Sequence, residues 1–157
     1  MADASEVLEG QADVVDAVLA AGRVFVAVAS NALASLSPEV TLPQFRALVL
    51  LEGRSVMTVA ELAEELGVAP STASRMCDRL IAKKLIRRTQ DRSNRRRVRL
   101  TLQPAGRELI TASTRRRTQQ INKLLKSIPH TEQQRLATAL GVLVAAAERS
   151  GHSAAPR

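Results

Sequence analysis

Apolar residues recur through most of this chain at the spacing of an amphipathic helix, and over one short stretch they switch to strict alternation. Val14, Val18, Phe25, Val28 and Leu36 repeat at helical spacing and predict a long helix over residues 6–36, which Gly10 and Gly22 weaken without ending. Ser37-Pro38 breaks it. Thr41-x-x-Gln44 has the form of a capping box and opens a second helix through Phe45, Leu48, Val49 and Leu51, closed by Gly53-Arg54-Ser55. Thr58-x-x-Glu61 repeats the box before a stripe of Val59, Leu62, Ala63 and Leu66, and Gly67 stands where a left-handed residue would stop that helix. Pro70 suits the entry to a fourth helix, in which Ala73, Met76, Cys77, Leu80 and Ile81 share one face.

The period then changes. Leu85-Ile86-Arg87-Arg88 reads as a strand, and residues 89–96 carry turn chemistry in Asp91, Ser93 and Asn94. From Arg97 to Leu102 the chain alternates, with Val98, Leu100 and Leu102 on one face and Arg97, Arg99 and Thr101 on the other. Ser55-Val56-Met57 is placed to add a short third strand beside this hairpin. Pro104 begins a long helix to about Ile128 whose middle, Arg115 to Gln120, is polar; such a helix bridges lobes rather than filling a core. Pro129 stops it, and Thr131-x-x-Gln134 predicts a cap for a last helix carrying Leu136, Leu140, Leu143, Val144 and Ala147.

Helix, short Gly-containing turn, helix with a polar outer face, then a basic hairpin is the grammar of a winged helix-turn-helix. The predicted fold class is therefore mainly α (α+β), a winged helix-turn-helix with long N- and C-terminal dimerisation helices. The expected division is an N-terminal dimerisation helix over 1–36, a DNA-binding domain over 37–103, and C-terminal linker and dimerisation helices over 104–157.

Charge sharpens this. Ser71 to Arg107 holds twelve Lys/Arg against two acids, whereas residues 1–70 hold three Arg and ten acids, within a whole-chain net charge of +8. The basic charge is a local footprint, which favours a polyanion partner. Aromatics are confined to Phe25 and Phe45, which argues against single-strand binders that stack bases on rings. The single Cys77 excludes an internal disulfide. The absence of a basic n-region followed by an apolar run, and of any stretch near the roughly 18–20 apolar residues of a span, gives the expectation of a cytoplasmic protein with no membrane partner.

At Leu42-Pro43-Gln44-Phe45, Val59-Ala60-Glu61-Leu62-Ala63, Pro70-Ser71-Thr72-Ala73-Ser74-Arg75, Asp78-Arg79-Leu80, Asp91 to Arg96, and Leu102-Gln103-Pro104-Ala105-Gly106, the chain resembles the MarR family of bacterial transcriptional regulators. Order and spacing carry the resemblance over nearly the whole chain. It departs from the family pattern at Asn94, where an Asp is usual, and at Gln103, where a Thr is usual; Gln is a poor N-cap.

The major-groove candidates are Ser71, Thr72, Ser74 and Arg75, with Arg79 beside them and Arg92, Arg95, Arg96 and Arg97 on the wing. Four arginines in six positions repel one another unless an anion is present. Asp78 would repel phosphate unless neutralised, and the family pattern implies a wing arginine as its partner, with Arg96 expected; this would orient the wing. Cys77 falls on the apolar face, without a flanking His or a resolving Cys, so core packing is favoured over a redox role. His130 and His152 make no metal site, and no catalytic set or phosphate-binding Gly loop is visible, so neither a metal, a cofactor nor an enzyme activity is expected.

The first helix and the last two carry apolar stripes that one winged helix cannot cover, which predicts a homodimer on a pseudo-palindromic double-stranded DNA site. The resemblance further implies a repressor released by a small aromatic or anionic effector. By position that pocket would draw on Arg23, Phe25, Phe45, Arg46, Leu48 and Val49. The alternative from another class is an architectural DNA-binding protein without base readout.

Overall fold

A computed structural model describes residues 4–90 and 98–150, with side chains from Gln11 onward. The described elements are α1 (Ala4–Ala34), α2 (Leu42–Arg54), α3 (Val59–Leu66), α4 (Pro70–Ala82), β1 (Ile86–Gln90), β2 (Val98–Leu102), α5 (Pro104–Leu125) and α6 (His130–Arg149).

Local chemistry sets the ends of these elements. The boxes predicted at Thr41 and Thr58 form. The Gln44 N–H donates to Thr41 Oγ1 at 3.4 Å while Gln44 Oε1 accepts from the Thr41 N–H at 3.0 Å. Glu61 Oε2 accepts from the Thr58 N–H at 2.7 Å, and the Glu61 N–H donates to Thr58 Oγ1 at 3.2 Å. Each pairing satisfies amides that the first turn leaves orphaned. Gly67 ends α3 at φ 66°, in the left-handed region. Lys84 does the same after α4 at φ 59°. Its N–H donates to the Ile81 carbonyl at 2.8 Å, and the Leu85 N–H reaches back to the Leu80 carbonyl at 3.0 Å. This turn delivers the chain into β1. Gln103, as anticipated, caps α5 without any side-chain hydrogen bond.

The expected cap on Thr131 does not form. The helix starts two residues earlier than such a cap would place it, at His130, with Pro129 as N-cap. The Pro129 carbonyl accepts from the N–H groups of both Glu132 and Gln133 at 3.0 Å. Gln133 turns back instead, donating from Nε2 to the carbonyls of Leu125 at 3.0 Å and Ile128 at 2.9 Å. The side chain that ties α5 to α6 is therefore Gln133.

One core holds the winged helix. Leu48, Leu51, Leu62, Cys77, Leu80 and Leu100 are fully buried in it, and Ile86 and Met57 almost so. Burying each large apolar side chain stabilises the fold by roughly 1.5–3 kcal/mol. β1 and β2 pair antiparallel from Ile86↔Leu102 to Gln90↔Val98. The expected third strand is a single bridge: Leu100 donates to the Met57 carbonyl at 2.6 Å and Met57 donates back at 3.3 Å.

At Gly106, α5 presses onto this hairpin. A Cβ there would strike the Leu85 carbonyl oxygen and lie 2.7 Å from Leu102 Cδ1. The same Leu85 carbonyl accepts the Gln103 N–H at 2.9 Å, so the start of α5 is seated on the β1 end of the wing. The outer helices are different. Among the described side chains of α1, those buried lie in its C-terminal part, at Val28, Ala32 and Leu33. Val14, Val15, Val18 and Leu19 are 41–62% exposed, and α6 buries no residue.

Candidate nucleic-acid interface

α4 is amphipathic in a way that fixes what it offers to a partner. Ala73, Cys77 and Leu80 are fully buried against the core. On the opposite side Ser71, Thr72, Arg75, Asp78 and Arg79 are exposed, and Ser74 is half-buried on the flank. Four of the predicted contact residues thus stand on one outward surface, Ser74 stands at its edge, and α3 braces the helix from behind. Arg92, Arg95, Arg96 and Arg97 lie outside the described residues.

Asp78 pairs with Arg88 of β1, Nη1 to Oδ1 at 2.8 Å. The expected partner was Arg96, a residue outside the described ones. Strand period explains why Arg88 reaches: it shares a face with Ile86, which packs in the core beneath α4, and so is carried toward Asp78. Arg87, on the other face, donates from Nε to Thr101 Oγ1 across the hairpin at 3.2 Å. The sequence marks Arg88 only as a strand residue, and its period relative to Ile86 is the signal that places it on the Asp78 side.

Cys77 sits directly behind this surface. Burial pushes its thiol up from the ordinary value, against the opposing pull of the Arg88 charge, and Asp78 adds to the rise. A neutral buried thiol is a packing residue.

A cleft of about 570 Å³ opens where α1, α2, α4 and α5 meet. Phe45, Arg46 and Val49 line it, as predicted from their positions, together with Val26 and Met76. Three other candidates do not. Arg23 and Phe25 lie exposed on the uncovered part of α1, and Leu48 is sealed in the core. Helical rotation accounts for this: Val26, itself more than half exposed, stands at the rim of the cleft, and Phe25 is turned about 100° away from it. Arg117 of α5 was missed. Its guanidinium lies 5.8 Å from the centre of the Phe45 ring, and its buried Nε has no hydrogen-bond partner. The signal was present, since Gly106, Ile110, Ser113 and Arg117 repeat at helical spacing along the inward face of α5.

The profile of the MarR family matches residues 40–98. The curated HTH-type transcriptional regulator YsmB of Bacillus subtilis is 31% identical over 93 residues, covering 59% of this chain and 64% of that protein. The chain thus spans just under two thirds of that relative's length. The crystal structure of RV1404 from Mycobacterium tuberculosis is 34% identical, covers 82% of this chain and 88% of its own, and superposes with a TM-score of 0.77. A variant of MepR from Staphylococcus aureus, bound to an oligodeoxyribonucleotide, shares the fold at 23% identity and a TM-score of 0.65, over 80% of this chain and 91% of its own. With a winged helix seated between long outer helices, and these likenesses over that same architecture, the chain belongs to the MarR family of transcriptional regulators.

Proposed function

We propose that this protein is a homodimeric, sequence-reading repressor that binds a pseudo-palindromic double-stranded operator. The observation that carries this reading is the outward surface of α4: hydroxyls and arginines stand together on a helix whose other face is locked into the core. Arg75 has the fork geometry to take a guanine edge, and Ser71, Thr72 and Ser74 have short hydroxyls for bases or phosphates. The basic hairpin adds arginines for backbone or minor groove, and a MepR variant of the same fold, bound to an oligodeoxyribonucleotide, supports the reading.

The second copy is supported by apolar surface. The stripe of α1 from Val14 to Leu19, and Leu136, Val142, Leu143 and Val144 of α6, are too extensive to leave in water. Two-fold association of these helices covers them with the same patch on each subunit. The two α4 helices then face successive major grooves, with half-sites about 10 bp apart. Repression follows from occupying a promoter.

The cleft between Phe45 and Arg117 is the candidate effector site. Its apolar walls and two arginines suit a small aromatic anion. Such a ligand releases DNA only by favouring an arrangement of α1, α2 and α5 in which the α4 helices are wrongly spaced, and DNA then weakens the ligand by the same factor.

A fluorescence-anisotropy titration tests the reading, using DNA from upstream of the protein's own coding sequence against a scrambled duplex at several salt concentrations. A preference of roughly 10³-fold or more, lost in Arg75→Ala, is the expected result. Equal, steeply salt-dependent affinity for both duplexes would replace it with an architectural role.

A further inference from the structure

Between the first turn of α2 and the outer flank of α4 lies a second cleft, of about 460 Å³. Thr41, Thr72, Arg75 and Arg79 line it, over an apolar floor that includes Pro43 and Met76. No carboxylate lines it among the described residues. Neither Arg75 nor Arg79 makes an ion pair among the described residues, so two like charges converge on one hollow without a described carboxylate paired to either. The apolar floor keeps water from one side and strengthens the field that these cations set up there.

The hydroxyls are placed to help. Thr41 Oγ1 accepts from the Gln44 amide, which leaves its own proton to donate. Thr72 Oγ1 is committed to no described partner. An acid does lie nearby, in the loop before α2, but Glu39 is already engaged. The Ser37 hydroxyl donates to it at 2.6 Å, and this bond together with the Lys83 charge favours its ionised form.

We propose that this cleft seats a phosphate of the DNA backbone, held by Arg79 with the hydroxyls of Thr72 and Thr41, while Arg75 extends past it to a base edge. Helix geometry separates the two roles. Viewed down α4, Thr72 and Arg79 lie within about 20° of each other on the α2 side, and Arg75 lies about 40° nearer the outward line. The opposite flank of α4 is occupied by the Asp78–Arg88 pair. Backbone clamping is therefore assigned to one edge of the helix and base reading to its crest. The inference rests on the DNA-binding reading above, and it concerns positioning on the duplex rather than sequence choice.

The test compares wild type, Arg79→Ala, Arg79→Lys and Arg75→Ala on the upstream duplex and on a scrambled duplex of equal length, across a salt series. Circular dichroism first checks that each variant keeps its helix content, as an exposed position should. Arg79→Ala is expected to weaken both duplexes by the same factor, about ten-fold, as one charge-assisted hydrogen bond would. Its plot of log affinity against log salt should lose about one unit of slope. Arg79→Lys should keep the slope, since a phosphate accepts a point charge. Arg75→Ala should remove the preference for the upstream duplex. An Arg79→Ala protein with unchanged affinity and slope would overturn the phosphate seat while leaving DNA binding intact. An Arg79→Ala protein impaired only on the upstream duplex would also overturn it, because Arg79 would then be reading bases. Absence of wild-type binding to either duplex would overturn this inference and the DNA-binding reading together.

Discussion

Asp78 on α4 and Arg88 on β1 are joined at 2.8 Å, and their side chains stay 56% and 38% exposed. Exposed ion pairs of this kind contribute about 0–1 kcal/mol. The pair is therefore a poor source of stability and a good source of orientation, because it links the helix offered to DNA with the first strand of the wing. A double-mutant cycle of Asp78→Ala and Arg88→Ala should show a coupling below about 1 kcal/mol in urea unfolding. The same cycle measured by DNA affinity should show a larger coupling. Equal couplings in both would reduce the pair to a surface contact.

The two glycines at structural junctions should differ in what they tolerate. At Gly67 a built Cβ meets nothing, so Gly67→Ala should cost about 1 kcal/mol from backbone conformation alone. At Gly106 the added methyl meets a backbone carbonyl and the Leu102 side chain, so Gly106→Ala should cost about 1–3 kcal/mol through overpacking. Chemical denaturation ranks them; a smaller loss at Gly106 would mean that α5 slides off the hairpin easily.

Lys84 holds a left-handed conformation that a β-carbon disfavours. Lys84→Gly should raise stability by about 0.5–1 kcal/mol, the relief of strain less the added freedom of the unfolded chain. A shift in thermal midpoint measured on DNA-free protein checks this. A loss of stability would show that the Lys84 side chain contributes more than its backbone costs.

Cys77 predicts both reactivity and pH dependence. Buried and neutral, it should react with a thiol reagent far more slowly in native protein than in guanidinium. Its folded pKa lies above the ordinary value of 9.0, because burial disfavours the thiolate. The stabilisation is therefore fully present below that ordinary value and is lost as pH rises through it toward the raised folded one. Unfolding midpoints between pH 7 and 10.5, compared with Cys77→Val, should diverge only at the alkaline end.

Covering the outer helices should be worth more than any of these single contacts. Leu143→Glu places a charge in the middle of the exposed apolar stretch of α6 and should shift the protein to monomer in analytical ultracentrifugation. Because α6 buries nothing within its own subunit, far-UV circular dichroism should fall with the dimer. A variant that stays dimeric would move the interface away from this face.

What could be read from sequence followed the range of the forces involved. Capping boxes at Thr41 and Thr58, the stop at Gly67 and the alternation around Leu100 are decided within a few residues, so local pattern exposed them. The failures were three-dimensional. Thr131 has the letters of a cap, but Pro129 starts the helix first, and Gln133 is drawn to the end of α5. Arg117 looked like part of a solvated run, Arg115 to Gln120, until packing placed it against Phe45. Phe25 and Val26 are adjacent in sequence and both largely exposed, and only the rotation of α1 about its axis puts Val26 rather than Phe25 at the edge of the cleft.

The contact of Gly106 with Leu85 makes α5 a stiff lever. Its 22 residues span about 33 Å at 1.5 Å per residue, from the hairpin at one end to the uncovered helices at the other. With no side chain between helix and hairpin at the near end, a tilt of α5 would be passed directly to the wing. A rotation of about 6° at the far end would sweep the hairpin by roughly 3.4 Å over that length, the axial step of one base pair. A side chain at position 106 would therefore change how small motions among the outer helices would be converted into register on a duplex.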